Sequence, residues 1–195
     1  GAALLAAIDK HPIKCRVLLT DNIIANAMVK STSRLIQINR SACINKRELN
    51  ALINHELEVH MLTTVNSENQ KLKIFRLGLP GNTCTQEGLA VLSEYMTGNL
   101  TLQRLKVLAL RVIAVKMMIK DYDFSRTFKI LVDDYGLNQN EAFKITARVY
   151  RGGGFTKDFL YLRGLRMALQ QFKICDISPL FIGKTSIKYL VVIKK

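Results

Sequence analysis

The stretch NKRELNALINHELEVHMLTTV, residues 45–65, is where the chain changes its period. Asn45 followed three residues later by Glu48 is the signature of a capping box, in which each side chain satisfies a backbone N–H at the start of a helix. Leu49, Leu52 and Ile53 then recur at helical spacing, so the segment predicts a helix from Lys46 to about Val65 with one apolar face. The same helix carries two of the chain's 3 histidines, His55 and His60. At about 100° per residue they would stand about 140° apart on an ideal helix, against about 40° for a spacing of four.

Upstream of Asn45 the pattern is extended. Cys15 to Thr20, Ile24 to Val29 and Arg34 to Asn39 are rich in Val, Ile and Leu and are separated by polar breaks at Asp21-Asn22 and Ser31 to Ser33. They predict a small antiparallel meander, preceded by a short apolar helix over Ala2 to Ile8. Downstream the chain reads as helical. After the Leu79-Pro80-Gly81 turn, Thr83 or Thr85 can cap a helix ending at Gly98, and a long apolar helix follows over Thr101 to Lys120. Asp123 caps another, closed by Gly136, and Asn138 with Glu141 opens one that stops at Gly152-Gly153-Gly154. A last helix runs from about Lys157 to Phe172, and the final fifteen or so residues fit helix or strand equally. The fold class is α+β, mostly helical, with a small antiparallel N-terminal sheet, in one domain over residues 1–195.

Composition supports a folded, water-soluble domain. At 49% hydrophobic and 23% charged the chain can bury a core, which excludes a disordered, collagen-like or coiled-coil description. Val107 to Ile119, the longest apolar stretch, is broken by Arg111 and Lys116 and falls short of the roughly 18–20 apolar residues of a spanning helix. A net charge of +14 attracts anions, among them nucleic acid, acidic peptide tails and anionic lipid. Nucleic acid ranks last, because no aromatic-rich basic motif, RNP-like string or zinc-finger spacing accompanies the charge. The cysteines, Cys15, Cys43, Cys84 and Cys175, stand alone, as expected of reduced thiols in the cytoplasm. Beginning at Gly1, the chain reads as a piece of a longer protein.

The chemistry concentrates in His55-Glu56-Leu57-Glu58-Val59-His60. Random sequences of this composition contain H-E-x-x-x-H about once in six hundred, so the pattern is informative. It resembles the zincin H-E-x-x-H, in which two imidazoles one turn apart hold Zn²⁺ and the Glu beside the first is general base. The extra residue must be absorbed, most simply by a π-bulge, which predicts a helix distortion between Leu57 and Val59. Two imidazoles hold zinc poorly, so a third ligand is expected: Glu87, beside a Gly88 that lets two helices approach, with Cys84 as its rival. Glu58 should face elsewhere. His11, ahead of Pro12, reads as structural.

Thr85-Gln86-Glu87-Gly88-Leu89-Ala90 after the Leu79-Pro80-Gly81 turn, Val149 to Gly153, Phe155 to Asp158, and Tyr161-Leu162-x-Gly164 together resemble one family. It joins the bacterial flavohemoglobin expression-modulating QEGLA motif proteins to the MATCAP-type tubulin tyrosine carboxypeptidases. The resemblance implies a zincin-like zinc metallopeptidase with His55, His60 and Glu87 as ligands and Glu56 as base. Tyr150 or Tyr161 could then donate to the oxyanion. Arg151, with the amides of Gly152 and Gly153 and with Lys157, would receive a substrate's terminal carboxylate. The implied partner is a peptide or protein C-terminal tail, with an acidic tail suiting the positive field, and no membrane. The competing expectation is a regulatory binding protein in which zinc is structural. The spare acid Glu56 speaks against it.

Overall fold

The computed structural model describes residues 13–23, 27–30, 33–43, 45–152 and 156–194. The expected helix over Ala2 to Ile8, His11, residues 24–26 of the second extended run, and Gly153 to Phe155 lie outside these residues. The chain forms two compact units. The first comprises residues 1–100 and 164–195 and the second residues 101–163.

Among its described residues the first unit has three strands, β1 (Arg16–Thr20), β2 (Ala27–Lys30) and β3 (Leu35–Asn39). The sheet is mixed rather than the antiparallel meander expected. Its order is β1-β3-β2, with β3 parallel to β1 and antiparallel to β2. Alternation of apolar residues specifies which face of a strand is buried and leaves its neighbour open. The strand covered on both faces takes the centre: Ile36, Gln37 and Ile38 of β3 are all buried. Ala27, Ile36 and Ile38 pack with Leu57 and Met61 into one core.

Those last two residues belong to the helix that begins at Asn45. The capping box is formed, with Asn45 Oδ1 accepting from the Glu48 N–H and the Glu48 carboxylate accepting from the Asn45 N–H, each at 2.9 Å. Helix α1 (Lys46–His55) passes into a π-helix (Glu56–Met61) and then α2 (Leu62–Glu68). A short α3 (Ile74–Leu77) and the left-handed Gly78 and Gly81 lead into α4 (Asn82–Met96). Helix α4 starts before Thr83. Thr85 is no cap, because its hydroxyl accepts from the Ile187 N–H at 3.0 Å.

Among the described residues the second unit comprises α5 (Leu102–Ile119), α6 (Phe124–Asp133) and α7 (Gln139–Tyr150); Asp123 and Asn138 cap the last two as the sequence predicts, and Thr101, expected inside the first, is its cap instead. Leu110, Ala114, Leu131, Ala142 and Val149 are central to its core. The boundary back to the first unit falls within α8 (Leu160–Phe172). The C-terminal segment folds as helical turns, Ser178–Phe181, Ile187–Tyr189 and α9 (Leu190–Ile193). It is tied down by Leu79 N–H to Lys184 O at 2.9 Å and Lys184 N–H to Phe75 O at 2.7 Å. No helix among the described residues is long and apolar enough to cross a membrane.

Candidate metal centre

The π-helix decides where the histidines point. Hydrogen bonding shifts from four residues back to five, as in the Leu62 N–H donating to Leu57 O, so residues five apart share a face. The His55 and His60 rings accordingly meet edge to face with centroids 5.0 Å apart. The expected distortion at residues 57–59 lies within this segment. Leu57 and Met61, 1% and 0% exposed, anchor the opposite side in the sheet core and fix the rotation of the turn.

Helix α4 supplies the third group. The buried Glu87 places Oε2 3.7 Å from His55 Nε2 and 3.9 Å from His60 Nε2. One ligand atom from each residue lies within 4.8 Å of the others. Gly88 beside it is required by packing: a Cβ there would come within 2.6 Å of Gly164 Cα on α8 and collide with the Gly164 backbone. Cys84, half-buried, is not in the converging group. Glu58 is exposed, whereas Glu56 is half-buried.

Two imidazoles and a carboxylate are a borderline-soft donor set suited to zinc and its neighbours rather than to calcium or magnesium. Ligands about 2.0–2.2 Å from a tetrahedral ion stand about 3.3–3.6 Å apart, so the carboxylate-to-imidazole separations need only a small rotamer adjustment. The residues fit a divalent transition metal.

A further acid completes the arrangement. Glu94, 2% exposed, sits seven residues beyond Glu87 on α4 and therefore on the same face, and its Oε1 is 2.7 Å from His55 Nδ1. With Nδ1–H donating to Glu94, His55 turns Nε2 towards Glu87. This is the carboxylate–imidazole relay that orients metal-binding histidines. Burial pushes the His55 pKa down, but the carboxylates of Glu87, Glu94 and Glu56 outweigh it and raise it from 6.5 to about 9. The pocket favours a cation on this ring, and a divalent ion competes with the proton for the place. Sequence reading missed Glu94, although an acid set in the apolar run Leu89 to Met96 was a signal for it.

A family model described as microtubule-associated tyrosine carboxypeptidase matches residues 2–195. The chain belongs to the MATCAP family. Among curated proteins none matches its sequence. MATCAP membership makes it a peptidase-type enzyme of carboxypeptidase character.

The remaining candidate residues of this MATCAP chain lie in the second unit. Tyr150 Oη donates to the Tyr122 carbonyl at 2.5 Å and is 2.6 Å from Thr127 Oγ1, so this hydroxyl joins α7 to α6 and to the loop before it. Tyr161 is buried, and its Oη accepts from Arg148 Nη2 at 3.4 Å. Lys157 is exposed, with Nζ 5.8 Å from the Tyr161 ring centroid. Arg151 and Gly152 are exposed at the end of α7.

Proposed function

We propose that this chain is a zinc-dependent carboxypeptidase that removes a C-terminal residue, tyrosine by the family's description, from a protein whose tail is acidic. The observation that carries the reading is the convergence of His55, His60 and Glu87 on one point. When bound there, zinc supplies a Lewis acid for the scissile carbonyl and lowers the pKa of its water towards about 7. His55, His60 and Glu87 hold the ion. Glu94 fixes the His55 ring, and Glu56 takes a proton from water and delivers it to the leaving amine.

The Tyr150 hydroxyl already donates its proton to a backbone carbonyl, which counts against it as the donor to a developing oxyanion. Arg151, the amides of Gly152 and Gly153, and Lys157 are basic or donor groups for the substrate's terminal carboxylate. Three converging protein ligands among the described residues favour an open, catalytic site over a structural one, which closes with four. The cysteines, in no disulfide among the described residues, suit a reducing compartment such as the cytoplasm.

Glu56→Gln is the test. It should retain one equivalent of zinc while peptide cleavage falls about 10²–10⁴-fold. Undiminished cleavage in a metal-loaded Glu56→Gln protein would reject the assignment. Comparing a peptide with a free C-terminus against its amide separates exopeptidase from endopeptidase action.

A further inference from the structure

Between Glu68 and Glu87 the sequence contains no acid, and its only charges are Lys71, Lys73 and Arg76. Both flanking acids are engaged elsewhere, Glu68 with Arg34 and Glu87 among the converging ligands. The three cations alternate with aliphatic side chains that the fold leaves in water. Leu72 is 63% exposed, Ile74 41% and Leu77 78%, and Lys71, Lys73 and Arg76 are exposed as well. Scattered exposed apolar residues are ordinary, whereas a group rimmed by polar ones marks a contact surface.

The turn itself sets this exposure. Phe75 N–H donates to Leu72 O at 3.2 Å, Arg76 N–H to Lys73 O at 3.0 Å, and Gly78 N–H closes α3 on Ile74 O at 2.8 Å. Phe75 is half-buried, and a Cβ on Gly183 would come within 2.6 Å of its own Cβ. With the backbone bonds of Lys184 to Phe75 and Leu79, that packing pins the segment to the C-terminal turns. Aliphatic side chains held outwards among cations complement a surface that is negative with an apolar layer beneath. An anionic bilayer is such a surface: headgroups meet the cations while the aliphatic groups enter the acyl boundary. A protein partner fits less well. Protein interfaces are depleted in Lys and enriched in aromatic residues, whereas this patch carries two lysines and has its one aromatic ring packed against the protein.

We propose that residues 71–77 are a peripheral docking surface for an anionic lipid bilayer. Lys71, Lys73 and Arg76 lie over the headgroups, and Leu72, Ile74 and Leu77 enter the boundary beneath them. No helix among the described residues is long and apolar enough to cross a bilayer, but lying on one takes exposed apolar groups among cations rather than length. The family resemblance implied no membrane partner. This surface is therefore an addition to the peptidase reading, and neither depends on the other.

The test sediments the whole chain with vesicles of phosphatidylcholine alone and of phosphatidylcholine with phosphatidylserine, at physiological salt. Binding should be confined to the anionic vesicles and should survive chelation of metal. Lys71→Gln, Lys73→Gln and Arg76→Gln combined should weaken it about 100-fold, at about fivefold for each cation. Leu72→Gln with Leu77→Gln keeps every charge and should weaken it at least about tenfold. The chain holds no tryptophan, so Leu77→Trp supplies a lone reporter, whose emission should move to the blue on the anionic vesicles. All the substituted side chains are exposed, and thermal melting checks that each variant is folded; one that is not leaves the decision to the others. No binding to anionic vesicles, equal binding to neutral ones, unchanged affinity in the leucine variant, or unshifted tryptophan emission in vesicle-bound protein would overturn the proposal. Retention on immobilised polyglutamate in place of vesicles, lost in the same variants, would overturn it in favour of an acidic polypeptide.

Discussion

Glu94 determines which nitrogen of His55 is available, and so it controls the site without being part of the converging group. Its 2.7 Å contact with Nδ1 is buried, where a hydrogen bond to a charged acceptor is strong and poorly replaced by water. Glu94→Ala should weaken zinc binding about 10–100-fold, measured by competition with a chelator. Glu94→Gln, which keeps an acceptor, should lose less. The same carboxylates govern a pH effect in metal-free protein. His55 titrates near 6.5 when unfolded and at about 9 when folded. Below about pH 6.5 both states hold the proton and the stabilisation is complete, and between 6.5 and 9 only the folded chain holds it. Chelator-treated protein should therefore lose thermal stability as pH climbs through this window, while zinc affinity rises as the competing proton leaves. A metal-free Tm that increases from pH 6.5 to 9 contradicts this account. At this scale His55, His60 and Glu87 were legible from residue type and spacing. Glu94 was hidden because a carboxylate in an apolar helix announces burial without naming its partner.

At the level of elements, the site is two helical segments held at one distance. The π-helix was readable because five-residue spacing brings the imidazoles together only if the helix widens. The caps at Asn45, Asp123 and Asn138 were readable because they act within one turn. Strand order was not, and neither was the role of Thr85, whose hydroxyl meets a backbone N–H 102 residues away. Gly88 stands between these cases: its need for a close neighbour was evident, but its partner Gly164 emerges only in three dimensions. A Cβ at Gly164 would lie 2.8 Å from Gly88 Cα, so the constraint is mutual. Gly88→Ala and Gly164→Ala should each force α4 and α8 apart at a cost of about 1–3 kcal/mol. That corresponds to a Tm lower by about 2–12 °C for a chain of this size. Because Glu87 rides on the same turn of α4, zinc affinity should fall in Gly88→Ala as well. An unchanged Tm in both variants would show that the two helices are not in backbone contact.

On the scale of the whole molecule, the converging His55, His60 and Glu87 belong wholly to the first unit and Arg111 with Arg148 wholly to the second, each unit having its own apolar core. Over both lies a net charge of +14. A field of that sign raises the encounter rate of an acidic substrate and does little to a bound one, so its kinetic signature belongs in kcat/KM rather than kcat. Screening shortens the field's reach from about 10 Å at 0.1 M salt to about 3 Å at 1 M. Cleavage of a peptide with an acidic tail should therefore lose about tenfold in kcat/KM between about 0.05 and 0.5 M salt, at nearly constant kcat. A peptide ending in the same residue but with a neutral tail should show a much flatter response. The paired comparison matters because salt also acts on groups shared by both substrates, such as the terminal carboxylate. Only the difference in slope reports the long-range field, and equal slopes would remove the charge from the recognition of substrate.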